Sequence, residues 1–230
     1  MKTIGIIGGL TWVSTLDYYR LFNEMVNEKL GGSEAAEVIL FSVNFGEIKR
    51  LTEAGDWKAI EQIIVSAAIK LENAGAACIL IGANTMHRFA DEVQRAVTIP
   101  LIHVAVETAK IICRRKLKVV ALLGTKYTME LSFYKDKLSM EGITTIVPSG
   151  EDINYINNAI YTEMSKSLFL PATKERFIKI IRELVQRGAE GVILGCTEIP
   201  ILIKQEDCPV PVFDTTHIHA AAAVEFALHA

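Results

Sequence analysis

The chain has 230 residues, 50% hydrophobic and 22% charged, which is enough for a sizeable core built as one large domain or two small ones. A net charge of −3, from 24 basic and 27 acidic side chains, leaves no basic surplus for nucleic acid or an acidic membrane surface. Mean hydropathy is +0.30, yet no apolar run approaches the roughly 18 uncharged residues of a membrane-spanning helix.

The first nine residues are too short and too glycine-broken for a signal peptide. Cys78, Cys113, Cys196 and Cys208 lie far apart, with no CxxC pair, so they read neither as a disulfide framework nor as a zinc site. The expectation is a reduced, soluble, cytoplasmic protein with no nucleic-acid or membrane partner.

In chain order, apolar runs predict strands at residues 3–8, 37–43, 78–82, 101–104, 119–124, 191–195 and 210–213. Such continuous runs suit strands covered on both faces. Between them, residues 56–73 place Ile60, Ile63, Ile64, Ala67, Ala68 and Leu71 on one helical stripe, with Gly75 just beyond its end. Phe177, Ile178, Ile181, Leu184 and Val185 repeat the pattern before Gly188. Strands alternating with helices predict an α/β fold with parallel sheets flanked by helices.

The chain also repeats itself. Residues 74–84 align with 187–197 at a constant offset of 113; residues 3–8 echo 118–124, and 98–102 echo 209–213. Three matches in the same order predict two pseudo-symmetric lobes, residues 1–97 with 210–230 and residues 98–209. In open α/β sheets ligands bind at the carboxyl ends of the strands. The turns at 8–14, 83–87, 124–128 and 196–198 are therefore expected to line a cleft between the lobes.

Cys196 is the foremost chemical candidate. It follows an apolar strand and Gly195 and precedes Thr197-Glu198-Ile199-Pro200, which reads as a helix start. Backbone N–H groups and a helix dipole there are expected to lower a thiol pKa. In the first half, Ala83-Asn84-Thr85-Met86-His87 occupies the matching place; Asn84 and Thr85 offer donors for a carboxylate. Thr11 and Ser14, after Gly8-Gly9, and Thr125 and Thr128, after Gly124, form a further matched pair suited to a small anion. The Gly8–Gly9 loop lacks both GxGxxG and a P-loop lysine, so it does not predict nucleotide binding. His217 and His219 diverge on a helix and have no accompanying ligand cluster, so no metal is expected, and the absence of G-x-S-x-G argues against a serine hydrolase.

These segments together resemble the aspartate/glutamate racemase family, specifically its cofactor-independent amino-acid racemase branch. The carriers are Ile4-Gly5-Ile6-Ile7-Gly8-Gly9-Leu10-Thr11-Trp12 with Ser14-Thr15 and Tyr18-Tyr19, Gly82-Ala83-Asn84-Thr85-Met86-His87, Leu123-Gly124-Thr125-Lys126-Tyr127-Thr128-Met129, and Gly195-Cys196-Thr197-Glu198-Ile199. The resemblance implies two α/β lobes with the active site between them, no cofactor, and a homodimer. It also implies a small amino-acid substrate and two opposed cysteines that exchange acid and base roles.

Cys196 matches one of those cysteines. The other should precede Asn84-Thr85, and that position holds Ala83. Cys196 and Thr85 are then the candidate proton-transfer residues. Thr11, Ser14, Ala83, Asn84, Thr85, Thr125, Thr128, Thr197 and Glu198 are the candidate substrate contacts. Loss of the second thiol leaves two alternatives: single-face decarboxylation of a substituted malonate, as in arylmalonate-decarboxylating members of the wider family, or amino-acid binding without turnover.

Overall fold

A computed structural model describes residues 1–229. Its strands are β1 (Ile4–Gly8), β2 (Val38–Ser42), β3 (Cys78–Ile81), β4 (Val119–Gly124), β5 (Thr144–Ile146), β6 (Gly191–Gly195) and β7 (Val212–Asp214). Its helices are α1 (Trp12–Leu30), α2 (Phe45–Ala54), α3 (Trp57–Asn73), α4 (Ala90–Ala96), α5 (Val104–Arg114), α6 (Lys126–Glu130), α7 (Ser132–Met140), α8 (Gly150–Thr162), α9 (Pro171–Gln186), α10 (Ile199–Leu202) and α11 (Thr215–Leu228), with a 3₁₀ turn at Thr85–Phe89. No described helix is long and apolar enough to cross a membrane.

By internal packing the chain divides into Met1–His103 with His219–Ala230, and Val104–Ile218. The first unit carries a parallel sheet in the order β2-β1-β3, extended by a single parallel bridge from Ile79 to Leu101. The second carries a parallel sheet in the order β5-β4-β6-β7. The two orders correspond strand for strand, with Leu101 standing where β7 stands, so the sequence repeat is a repeat of topology. Two parallel sheets flanked by helices are the two-lobed α/β architecture expected from the alternation of segments.

The unit boundaries differ from 97/98 and 209/210 because the fourth strand of each sheet pairs with its own half. Leu101 pairs with Ile79, and Val212–Asp214 pairs with β6. Val104 begins α5 instead of continuing a strand, so residues 101–104 form only a one-residue bridge. β5, two threonines and an isoleucine, is too short and polar to announce itself as a strand.

Strand alternation sorts each core onto two faces. In the first unit Ile4 and Ile6 pack with Tyr18, Phe22 and Val26 of α1 and with Ala220, Ala223 and Val224 of α11. Ile7 lies on the other face, under Ile60, Ile64, Ala67, Ala68 and Leu71 of α3. In the second unit Ala121, Leu123, Val192 and Leu194 pack beneath Ile156 and Ile160 of α8 and Phe177, Ile181 and Leu184 of α9. Val120, Leu122 and Ile193 face Ala109 and Ile112 of α5 and Tyr134 and Leu138 of α7. Each fully buried aliphatic side chain contributes on the order of 1.5–3 kcal/mol of transfer free energy, which secures the strands whose ends carry the polar turns.

Candidate active site

In the first unit two polar turns leave the carboxyl ends of neighbouring strands. After β1, Gly9 adopts φ 73° with its Cα packed against the chain leaving β2; a Cβ would lie 2.2 Å from the Val43 carbonyl oxygen. The turn then caps α1. Thr11 Oγ1 accepts from the Ser14 N–H at 3.3 Å, and Ser14 Oγ donates to the Thr11 carbonyl at 3.0 Å. Thr15 Oγ1 accepts from the Gly9 N–H at 2.8 Å, tying the cap back to the loop. Thr11 and Ser14 are buried, so two of the predicted anion contacts also hold the helix start.

After β3, Gly82 donates its N–H to the Ile7 carbonyl and Ala83 leads into the 3₁₀ turn. Asn84 and Thr85 are buried, and Ala83 is half-buried. The methyl of Ala83 can neither give nor accept a proton.

The second unit repeats the arrangement. Thr125 caps α6 through the Thr128 N–H at 3.3 Å, and the two hydroxyl oxygens lie 3.2 Å apart. After β6, Cys196, Thr197 and Glu198 are all buried, and Glu198 is only 3% exposed. Cys196 Sγ donates to Glu198 Oε2 at 3.0 Å, and Thr197 Oγ1 donates to the same oxygen at 2.8 Å. A thiol, a hydroxyl and a carboxylate thus share one hydrogen-bonded cluster at a strand end.

This cluster reverses the expected electrostatics of Cys196. Its thiol pKa is raised well above the ordinary value, first by burial and then by the negative charge of Glu198, which also accepts its hydrogen bond. The following helix, α10, has only four residues, too short to oppose those effects with a dipole. Cys196 is therefore a protonated thiol at rest, hydrogen-bonded to the Glu198 carboxylate.

The remaining cysteines sit elsewhere. Cys78 is buried in β3 with its thiol pushed up to about 11 by burial, and Cys208 is likewise raised to about 11. Cys113 lies on α5 with Sγ 3.8 Å from the Glu141 carbonyl, and all four cysteines are free thiols. His219 turns into the first unit's core, whereas His217 is exposed; among the described residues no cluster of His, Cys, Asp and Glu could hold a metal ion.

One half-buried polar group at the second sheet's carboxyl end is absent from the candidates read from sequence. Asp214 pairs in register with Leu194, one residue before the Gly195–Cys196 turn. Its Oδ1 accepts from the N–H groups of Thr216 and His217, and burial raises its pKa. The Asp-Thr-Thr run after a predicted strand is the cap signal that marks it.

The sequence profile of the Asp/Glu/hydantoin racemases matches residues 7–223. The chain is 25% identical over 169 residues to the broad specificity amino-acid racemase RacX of Bacillus subtilis, covering 74% of this chain and 73% of that one. Two solved structures cover 100% of both chains. One, assigned as an Asp/Glu racemase from Yersinia pestis, is 43% identical with a TM-score of 0.92. The other, an aspartate racemase homologue from Pyrococcus horikoshii OT3, is 40% identical with a TM-score of 0.86. With a profile match over nearly its whole length and two full-length structural relatives, this chain belongs to the Asp/Glu/hydantoin racemase family.

Proposed function

We propose that this protein is a cofactor-independent amino-acid racemase for aspartate- or glutamate-like substrates, working in the cytoplasm as a homodimer. The observation that carries this proposal is the buried pair of Cys196 Sγ and Glu198 Oε2, 3.0 Å apart at the end of β6. Glu198 takes the thiol proton, and the desolvated thiolate, a stronger base for its raised pKa, removes the substrate's α-hydrogen. Donors at Asn84, Thr85 and Thr197 hold the substrate carboxylate as it gains enediolate character, with Thr11, Ser14, Thr125 and Thr128 as supporting contacts. Ala83, at the place in the first unit that matches Cys196, has no proton to give. Thr85, or a water that it binds, returns a proton to the α-carbon and is reprotonated from solvent, while Glu198 releases the proton it took to solvent and the resting thiol–carboxylate pair is restored.

The test is α-deuterium incorporation in D2O across both enantiomers of the common amino acids. Aspartate or glutamate is expected to incorporate deuterium and lose optical activity, and Cys196→Ala to slow both by roughly a hundredfold or more. Absence of exchange with every amino acid tested would overturn the proposal.

Ala83 supports a second reading, chemistry at one face only. A disubstituted malonate that loses CO2 generates the carbanion without a base, and Cys196 alone then protonates it. Release of CO2 from such malonates, abolished in Cys196→Ala and unaccompanied by amino-acid exchange, favours this reading. Thermal stabilisation by an amino acid without exchange or CO2 release assigns a binding role.

A further inference from the structure

We infer that His87 is a positioning residue that sets the direction of two successive backbone N–H groups, those of Asn84 and Thr85. The inference rests on the proposed role of this turn in holding the substrate carboxylate. Imidazole Nδ1 lies 2.9 Å from the Ala83 carbonyl oxygen, and the His87 backbone N–H donates to the Asn84 carbonyl at 3.1 Å. One residue therefore engages two consecutive carbonyls. In a trans planar peptide the carbonyl and the following N–H point to opposite sides, and no cis peptide bond occurs among the described residues. Pinning the Ala83 and Asn84 carbonyls toward His87 thus turns the Asn84 and Thr85 N–H groups the other way. Paired N–H groups with a common direction are the backbone geometry that suits an anion.

The imidazole is itself held. It is 2% exposed, and its ring centroid lies 4.8 Å from that of His103 and 5.3 Å from that of His219. His219 Nε2 donates to the Ile102 carbonyl at 2.7 Å, which leaves Nδ1 to accept the Tyr18 hydroxyl at 2.8 Å. A carbonyl only accepts, so these contacts define the tautomer of His219, and the contact with Ala83 is the one that His87 makes when its proton is on Nδ1. The chain of contacts runs from Tyr18 on α1 through α11 to the turn after β3, all within one unit. Three clustered imidazoles are a costly way to fill a core that leucine or phenylalanine would fill without desolvating polar atoms. The hydrogen bonds of His87 and His219 reach specific carbonyls, which apolar side chains cannot do.

The experiment compares wild type with His87→Leu and His87→Asn, using the amino acid that exchanges fastest in D2O, or L-aspartate if none does. Asn retains an N–H close to the position of imidazole Nδ1, whereas Leu does not. His87→Leu is expected to raise KM, or Kd by calorimetry where there is no turnover, at least tenfold and to change kcat less. That is the scale of a charge-assisted hydrogen bond. His87→Asn is expected to stay within threefold of wild type. Wild-type affinity in His87→Leu, or equal loss in both variants, overturns the inference, as does failure of wild type to bind any probe.

If His87→Leu does not fold, ¹⁵N-histidine spectra of the wild type decide. A shift of the His87 Nδ1 resonance on ligand binding supports the role, and an unmoved resonance overturns it. Exchange activity without a His87 effect sinks this inference alone. A His87 effect on binding without exchange sinks the racemase proposal alone.

Discussion

Cys196 and Ala83 occupy matched places in the two halves, and proton chemistry is possible at only one of them. The strand–Gly–Cys–Thr pattern locates Cys196 in the sequence, but its protonation state depends on where the Glu198 carboxylate points. Two residues along a turn, that carboxylate can face solvent or fold back on the thiol, and only the structure shows Oε2 at 3.0 Å from Sγ. The expected lowering of the thiol pKa accordingly becomes a rise caused by burial and Glu198. The alanine is legible from the 113-residue offset alone, since Ala83 aligns with Cys196. If a second acid/base is all that the site lacks, Ala83→Cys should raise the rate of optical-activity loss by about a hundredfold. An unchanged rate, with the new cysteine confirmed by mass spectrometry, would mean that another group already protonates that face.

At the scale of elements, the turns depend on how closely the strand ends pack. Gly124 and Gly195 are paired in register at the ends of β4 and β6, immediately before Thr125 and Cys196. A Cβ on Gly195 would stand 2.8 Å from the Leu123 carbonyl oxygen and 3.0 Å from Leu122 Cδ1. Backbone oxygen cannot yield as a flexible side chain can, so Gly195→Ala must displace the start of the Cys196 turn. The expected result is a loss of about 1–3 kcal/mol in chemical denaturation together with a drop in exchange rate. Gly150→Ala is the control: it opens α8 and a Cβ there meets nothing within 4 Å, so its stability should be unchanged or slightly higher. The helix caps at Thr11 and Thr125 follow from the sequence because each has a hydroxyl three residues later, the spacing of a cap. The leucine and backbone atoms that forbid a side chain at Gly195 come from the neighbouring strand β4, which no local pattern specifies.

At the scale of the whole molecule, buried titratable groups set a window of pH stability. Burial lowers His87 to about 4 and His219 to about 3, with His87 adding to the shift of His219; His103 and the Tyr18 hydroxyl complete the cluster. Because these histidines protonate near 6.5 when unfolded, the unfolded state binds more protons as pH falls below that value. Stability is therefore lost from about pH 6.5 downward, with the histidine contribution saturating near pH 3–4.

Glu72, Glu190, Asp207 and Glu225, all lowered by hydrogen bonds, add to the loss only below the ordinary carboxylate range; the raised Asp214 acts in the opposite sense. At the alkaline end Cys78, Cys208 and Cys196 stay protonated when folded, so stability declines above about pH 9 as the unfolded thiols ionise. A urea-midpoint series across pH should show a plateau between about 6.5 and 9, with an acid limb beginning before the carboxylates titrate. A midpoint flat from pH 6.5 to 5 would contradict it.

The sequence by itself determined the α/β class, the duplication, the two families of strand-end turns and the absence of a thiol at Ala83. Each of these is written in local periodicity or in self-alignment, where neighbouring residues suffice. The tertiary structure alone decided that Leu101 pairs with Ile79 and Val212–Asp214 with β6, moving the unit boundaries to 103/104 and 218/219. It also decided that Glu198 raises the Cys196 pKa and that His219 meets Tyr18 and Ile102 across more than a hundred residues of chain. Strand pairing partners, side-chain direction and desolvation depend on groups brought together by folding, and their spacing in the sequence carries no record of that approach.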